Sequence, residues 1–414
     1  MQRGIFFGWY IVAATFFLYV LAGGPLYWGF GVFFRPIVEE YSWSRAATAV
    51  SFSLVNLMVG TAPLWGWFVD RFGARVPMVV GTACMAVGYL ILSQLDSLLV
   101  LNLGYALAGL GWGVYVTAPI AVIGNWFRAR RALAMGVAMS GYGLSGTIAP
   151  VLNWGIEGYG WRAVYVACAI ATLVFGVSLS LVLRHRPELY GFGVDGNPAP
   201  TRTGKGTHQD VDSAGSSMTA AQAMRTRAFW LLALIAVLNA LTPAGLLPHM
   251  VTYLTDVGFE AKLAALTITG ITIATIMGRI GGGALSDRLG KRPVLVGGFF
   301  ILAVSVLIFA VISQSWQLLL FVVLAGPSLG AVITVVPALT GDYFGPRSLA
   351  LIIGLVYIPR TLLLLGVPSG VGWVFDRYGT YRPAWLVLAG ILLVAAPLVL
   401  MLRPPAVSKT AAPG

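Results

Sequence analysis

The sequence predicts an all-α integral membrane protein with about twelve transmembrane helices in two six-helix bundles. Three observations predict it. The 414 residues are 58% hydrophobic and only 10% charged, with a mean hydropathy of +0.86, whereas soluble domains carry ~25% charge. One globule of this length cannot bury so much apolar surface. The apolar residues also gather into about twelve runs near the ~20 residues that a helix needs to cross a bilayer. Finally, a polar stretch and an internal repeat divide those runs six and six. A cytosolic enzyme, a disordered chain and a secreted disulfide module are excluded. Cys84 and Cys168 sit alone in apolar runs, which argues against a disulfide framework and a thiolate metal site. The formal charge of +12 lies in short loops, as membrane topology requires, and does not form a nucleic-acid patch.

The first half holds Phe6–Phe34, Ala46–Val69, Val76–Gln94, Leu98–Asn125, Ala132–Gly155 and Ala163–Leu183, making residues 1–183 one bundle. The first run is too long for a signal-peptide core and lacks a cleavage site, so it is expected to stay as a helix. Residues 184–228 are rich in Gly, Ser, Thr, Pro and charge and read as a flexible cytoplasmic linker. The second bundle, residues 229–402, holds Phe229–Leu254, Leu263–Leu285, Val294–Ser313, Trp316–Thr340, Leu349–Phe375 and Ala384–Leu402, followed by a tail, 403–414. With the N-terminus inside, 18 Lys and Arg fall on the inner side and 6 on the outer, leaving Arg279 and Arg360 within helices. That asymmetry places both termini in the cytoplasm.

An internal repeat relates the halves. GWFVDRFGAR (Gly66–Arg75) recurs as GALSDRLGKR (Gly283–Arg292), and Asp70/Asp287, Phe127/Phe344 and Arg130/Arg347 are all 217 positions apart. These loops resemble the GxxxDRxGxR hallmark of the major facilitator superfamily, and the resemblance covers essentially the whole chain. It implies that Asp70, Arg71, Arg75, Asp287, Arg288 and Arg292 latch the cytoplasmic side. Helix capping and positive-inside topology would use the same residues. The run WFRARRALAMGVAMSG (Trp126–Gly141) resembles the fifth-helix signature of monocarboxylate transporters, YFxKRRxLAxGxAxAG, departing at Trp126, Ala129 and Ser140. Their first-helix signature is only echoed by FFGWYIV (Phe6–Val12), with Phe6 where the acid belongs. GYGLSG (Gly141–Gly146) looks like the oxalate–formate antiporter branch.

Two charges stand out for their depth. Arg279 lies eight residues before Asp287, roughly 12 Å inside the membrane, and Arg360 roughly 16 Å inside. Burying an arginine there costs at least ~2.5 kcal/mol, and such a residue faces a cavity or a partner. All fourteen Asp and Glu lie in loops or at helix ends, so the expected partner is an anionic cargo held through paired N–H donors. The resemblance agrees. Monocarboxylate transporters carry a helix-8 Arg that meets the substrate carboxylate, and the oxalate–formate branch adds a helix-11 cation. Structural snorkelling is the competing account. Tyr115 and Tyr142 are candidate O–H donors, and Tyr27, Trp28 and Tyr357 candidate apolar walls, although membrane aromatics also serve as packing. Asn239 is a candidate polar contact or a helix–helix hydrogen bond. His249 and Asp256, seven residues apart on one face, are candidates for proton coupling or a plain interface pair.

The expected function is secondary active transport of small organic anions, mono- or dicarboxylates, with proton coupling. Alternatives are carboxylate exchange without protons, proton-driven drug or metabolite efflux, and a non-transporting sensor. No P-loop, HExxH or CxxC is present, so no cofactor, metal, nucleic acid or enzymatic activity is expected. The expected setting is a multi-pass monomer in the cell inner membrane, with protons or a counter-anion as co-substrate.

Overall fold

The computed structural model describes residues 6–197, 217–364 and 366–405. The first half comprises α1 (Phe7–Tyr41), α2 (Ala47–Val59 and Ala62–Phe72, bent by 42°), α3 (Arg75–Ser93) and α4 (Leu98–Trp126). A 52-residue helical stretch follows, Arg131–Val182, far longer than the ~20 residues a bilayer needs. It breaks at Gly160, whose φ of 79° and ψ of 155° are non-helical, giving α5 (131–159) and α6 (161–182). Only glycine adopts that conformation without strain. The second half comprises α7 (Arg227–Asp256), α8 (Ala261–Leu289), α9 (Lys291–Ala310), α10 (Ser315–Phe344), α11 (Leu349–Tyr378) and α12 (Arg382–Leu400). Twelve spans therefore result among the described residues.

Several helices outrun their apolar runs. α1 continues past Phe34 because Arg35 and Glu39 form an i,i+4 pair at 2.7 Å, which supports a helix beyond the apolar layer. α8 carries Asp287 and Arg288 in its last turn and stops at Gly290, where φ is 96°. Other helices are interrupted: α1 opens into a wide turn over Gly24–Trp28, and α7 tightens over Leu247–His249. Such turns interrupt the regular ladder and often mark functional positions.

Within the first half α3 and α2 pack on α4, and α1 packs on α5; in the second, α8 packs on α10 and α9 on α12. The two halves meet at one end only. There Ala62–Phe72 of α2 lies against the start of α11, and the first turns of α5 lie against the last turns of α8. Among the described residues these main contacts between the halves do not extend to the opposite end. We call these ends the latch face and the mouth.

The linker is not free at its ends. The Arg184 and His185 carbonyls accept from Trp126 Nε1 at 2.6 Å and Asn125 Nδ2 at 3.0 Å. The Asp195 carboxylate accepts the N–H groups of Arg128 and Ala129 at 3.0 and 2.9 Å. Phe192 packs on Phe7 and Trp126. Burial, with Arg186 adding to it, lowers the His185 pKa to about 4, so this ring is neutral at pH 7. Met218 N–H donates to Phe344 at the far end of the linker. Polar composition concealed these anchors, because Trp126 and Asn125 lie in a different part of the sequence. The centre of the linker, 198–216, lies outside the described residues.

Candidate functional site

At the latch face each half caps a helix of the other. Ala350 and Leu351, at the start of α11, donate their N–H groups to the Asp70 carboxylate at 3.2 and 2.9 Å. Ala132 and Leu133, at the start of α5, donate to Asp287 at 3.2 and 2.9 Å. A carboxylate on a helix N-terminus is stabilised by free N–H donors and the helix dipole. Glycines let the backbones come this close. A Cβ on Gly66 would overlap the Ala350 backbone, and one on Gly136 the Arg279 carbonyl.

The two caps differ in their surroundings. Lys291 Nζ stands 3.5 Å from Asp287 and 2.8 Å from Asp342, and the buried Arg131 pairs with Asp342 at 2.5 Å. Arg131 also donates to the Phe127 and Gly124 carbonyls. The positions 217 residues from Lys291, Asp342 and Arg131 are Ala74, Asn125 and Ser348, so the Asp70 cap lacks this network. The other loop arginines do not cross between halves. Arg71 lies over Trp67 and Phe72, Arg75 donates to the Leu183 carbonyl, Arg292 donates to Tyr343, and Arg288 is exposed. Of the six expected latch residues, the two aspartates make the crossing contacts. The asymmetric network was missed. Arg131 stood out in sequence only as part of a helix-5 pattern, and Asp342 only as an acid at a helix end.

Between latch and mouth lie the deep arginines. Arg279 is 6% exposed, and its Nη1 donates to the Met139 carbonyl of α5. Its buried Nε has no partner. Arg360, on α11, sits over the Tyr357 ring at 5.3 Å, and its buried Nε is likewise unpartnered. Neither arginine is ion-paired among the described residues. Arg279 lies 5.9 Å from the Tyr142 ring.

The first half faces these cations with an aromatic wall. Tyr27 meets Tyr142 edge-on at 5.9 Å and Trp112 at 5.3 Å, and Trp112 packs on Tyr142 at 5.7 Å. Trp28, 37% exposed, lies beside Gly146 on α5. Tyr19, one of the groups acting with Arg279 and Tyr357, belongs here as well. Tyr19, which packs on Trp112 at 6.2 Å, and Trp112 were not singled out in the sequence.

Two expectations need correction. Tyr115 is fully buried and shares a 2.8 Å hydrogen bond with Thr82 of α3, so its hydroxyl is committed inside the first half. Its level on α4 was read from residue counting, which gives depth but not direction. His249 and Asp256 do not pair. His249 Nε2 meets the Pro368 carbonyl at 3.0 Å and its ring packs on Tyr381, while Asp256, at the end of the same helical segment, is exposed. Asn239 is buried on α7 with its Oδ1 unpartnered. Among the described residues no cluster of His, Cys, Asp and Glu could hold a metal.

The model of the family described as Major Facilitator Superfamily matches residues 11–282 and 232–414. Monocarboxylate transporter 12-B of Danio rerio is 30% identical over 415 residues, covering 95% of this chain and 86% of that protein. The oxalate:formate antiporter of Oxalobacter formigenes is 25% identical over 410 residues, covering 95% and 91%. Among solved structures, the transporter FucP in its outward conformation superposes with a TM-score of 0.72 at 14% identity, covering 95% and 98%. That likeness concerns the fold.

Proposed function

The chain belongs to the major facilitator superfamily, and on that premise we propose that it carries small organic anions, mono- or dicarboxylates, across the cell membrane by alternating access. Its family and relatives are multi-pass membrane transporters, not enzymes. One observation carries the choice of anion. Arg279 and Arg360 each hold a buried, unpartnered Nε–H, and no fixed carboxylate pairs with either among the described residues. A carboxylate satisfies such donors with two parallel bonds and compensates the cost of keeping the charge buried. The names of the two sequence relatives agree with that chemistry.

The excess of Lys and Arg near the latch face supports a cytoplasmic latch and an outward mouth. In this arrangement the closed latch corresponds to the state that receives substrate from outside. Tyr142 and Tyr27 line the side opposite the cations and give the remainder of the substrate an aromatic surface.

Coupling follows from the same charges. An empty site with two guanidiniums is costly in a low-dielectric interior. The empty carrier therefore returns slowly, and return is faster with a second anion bound. Proton coupling enters through the substrate's own carboxyl, since no membrane-embedded acid accompanies the arginines. Among the described residues the charges at this site are two cations, which favours an anionic over a cationic cargo.

The test is uptake of labelled mono- and dicarboxylates into proteoliposomes, with an inward proton gradient and with internal carboxylate as separate driving forces. Uptake rises with at least one of them, and Arg360→Ala shifts preference toward singly charged substrates. Transport of a neutral or cationic solute, with carboxylates neither moving nor competing, overturns the reading.

A further inference from the structure

A second cavity lies away from the arginines, between α7, α11 and α12 near the mouth. It has a volume of about 410 Å³ and is lined among others by Leu241, Gly245, Gly370, Trp373, Val387 and Ile391. That size falls within the ~300–1,000 Å³ of small-molecule sites. The cavity exists because the mouth-side part of α11, Val367–Tyr378, packs only lightly on α12.

Its opening faces the bilayer. Val387 is 62% exposed and continuous along α12 with exposed Leu386, Val394 and Leu400, the apolar face that a membrane helix turns to lipid. Trp373 and Tyr378 are exposed at the rim, where amphipathic rings settle at the membrane–water boundary. From Pro383 to Ile391 the groove descends about 12 Å along α12. Above it, at the α11–α12 turn, stand the exposed cations Arg377 and Arg382 with Asp376 beside them.

One polar group breaks the apolar lining. Trp385 is fully buried, lines the cavity, and its Nε1–H has no partner. A buried donor without an acceptor is costly. Trp385 lies three residues below Arg382, about 4.5 Å deeper along the helix.

We propose that this groove binds one phospholipid from the surrounding bilayer, anionic by preference. One acyl chain occupies the cavity, an ester carbonyl accepts from Trp385 Nε1–H, and the phosphate lies against Arg382 and Arg377. Charge, depth and the orphan donor follow the order of groups in a phospholipid: phosphate, ester, hydrocarbon.

The test is native mass spectrometry of the full-length protein in detergent, titrated with phosphatidylglycerol and, separately, phosphatidylcholine. A Cβ on Gly370 meets nothing within 4 Å, and Gly370 lines the cavity, so Gly370→Leu starts from open space and adds its side chain to the groove. The wild type is expected to bind phosphatidylglycerol at least fivefold more tightly than Gly370→Leu. Trp385→Phe weakens binding two- to fivefold, and Arg382→Gln removes the preference over phosphatidylcholine. Val387→Trp, at the exposed lip, provides a second block should Gly370→Leu fail to fold. Unchanged phosphatidylglycerol binding in a folded groove-filling variant overturns the proposal, as does occupancy by a small apolar solute with no dependence on phospholipid.

Discussion

Replacing Asp70 with Asn tests the latch where it is simplest. The Asp70 carboxylate receives two N–H donors from α11, at 2.9 and 3.2 Å, with no cation within ion-pairing distance among the described residues. Asparagine keeps one acceptor oxygen, turns an amine toward the other donor and loses the charge at a helix N-terminus. A charge-assisted hydrogen bond contributes ~1.5–3 kcal/mol, and the dipole interaction, which involves the same N–H groups, up to ~2 kcal/mol. Counting them once and discounting for the cost of burying the charge in the closed latch gives a loss of about 1 kcal/mol, which moves the closed-to-open ratio of the latch about fivefold. Asp287→Asn weakens the equivalent crossing bonds from Ala132 and Leu133 and moves the ratio in the same direction. The assay is electron–electron distance measurement between spin labels at Arg130 and Arg347. These exposed, repeat-related positions stand on opposite halves at the latch face, and Cys84 and Cys168 are first replaced by Ser. Both variants should show a longer-distance population that is minor in the wild type. Wild-type distance distributions in both variants would refute the reasoning.

Three further outcomes follow. Asp342→Asn leaves Arg131 buried with carbonyl partners alone; allowing for the partial exposure of Asp342, it should lower stability by ~1–3 kcal/mol, seen as a lower unfolding temperature in detergent. Gly136→Val forces a side chain against the Arg279 backbone, so α5 and α8 must separate, and uptake should fall more than tenfold while membrane insertion is retained. His249→Gln should leave the pH response of uptake within twofold of the wild type, since its ring is tied to Pro368 and not to Asp256; a lost proton response would return His249 to the coupling step.

Much of the architecture was legible because membrane helices announce themselves through length and apolarity. The 217-residue offset picked out Asp70 and Asp287, whose carboxylates accept the N–H groups of the opposite half. The deep arginines were legible for a similar reason: a charge in an apolar run needs a purpose. What stayed hidden depends on direction rather than depth. Tyr115 and Tyr142 appear level by counting, yet one hydrogen-bonds Thr82 of α3 and the other lies beside Arg279. His249 and Asp256 are seven residues apart along one helix, yet the His249 ring turns to Pro368 and Tyr381 of the last two helices, partners that residue spacing does not reveal. The Arg131–Asp342 pair joins residues 211 positions apart, which no local pattern connects.

The most direct measurement is equilibrium binding of a labelled carboxylate to the purified protein, wild type against Arg279→Ala and Arg279→Lys. If the buried guanidiniums form the anion site, Arg279→Ala loses binding by at least tenfold at an unchanged unfolding temperature. Arg279→Lys then recovers only part of it, because an ammonium cannot reproduce the two-donor fork. Wild-type affinity in folded Arg279→Ala would contradict the account at its centre.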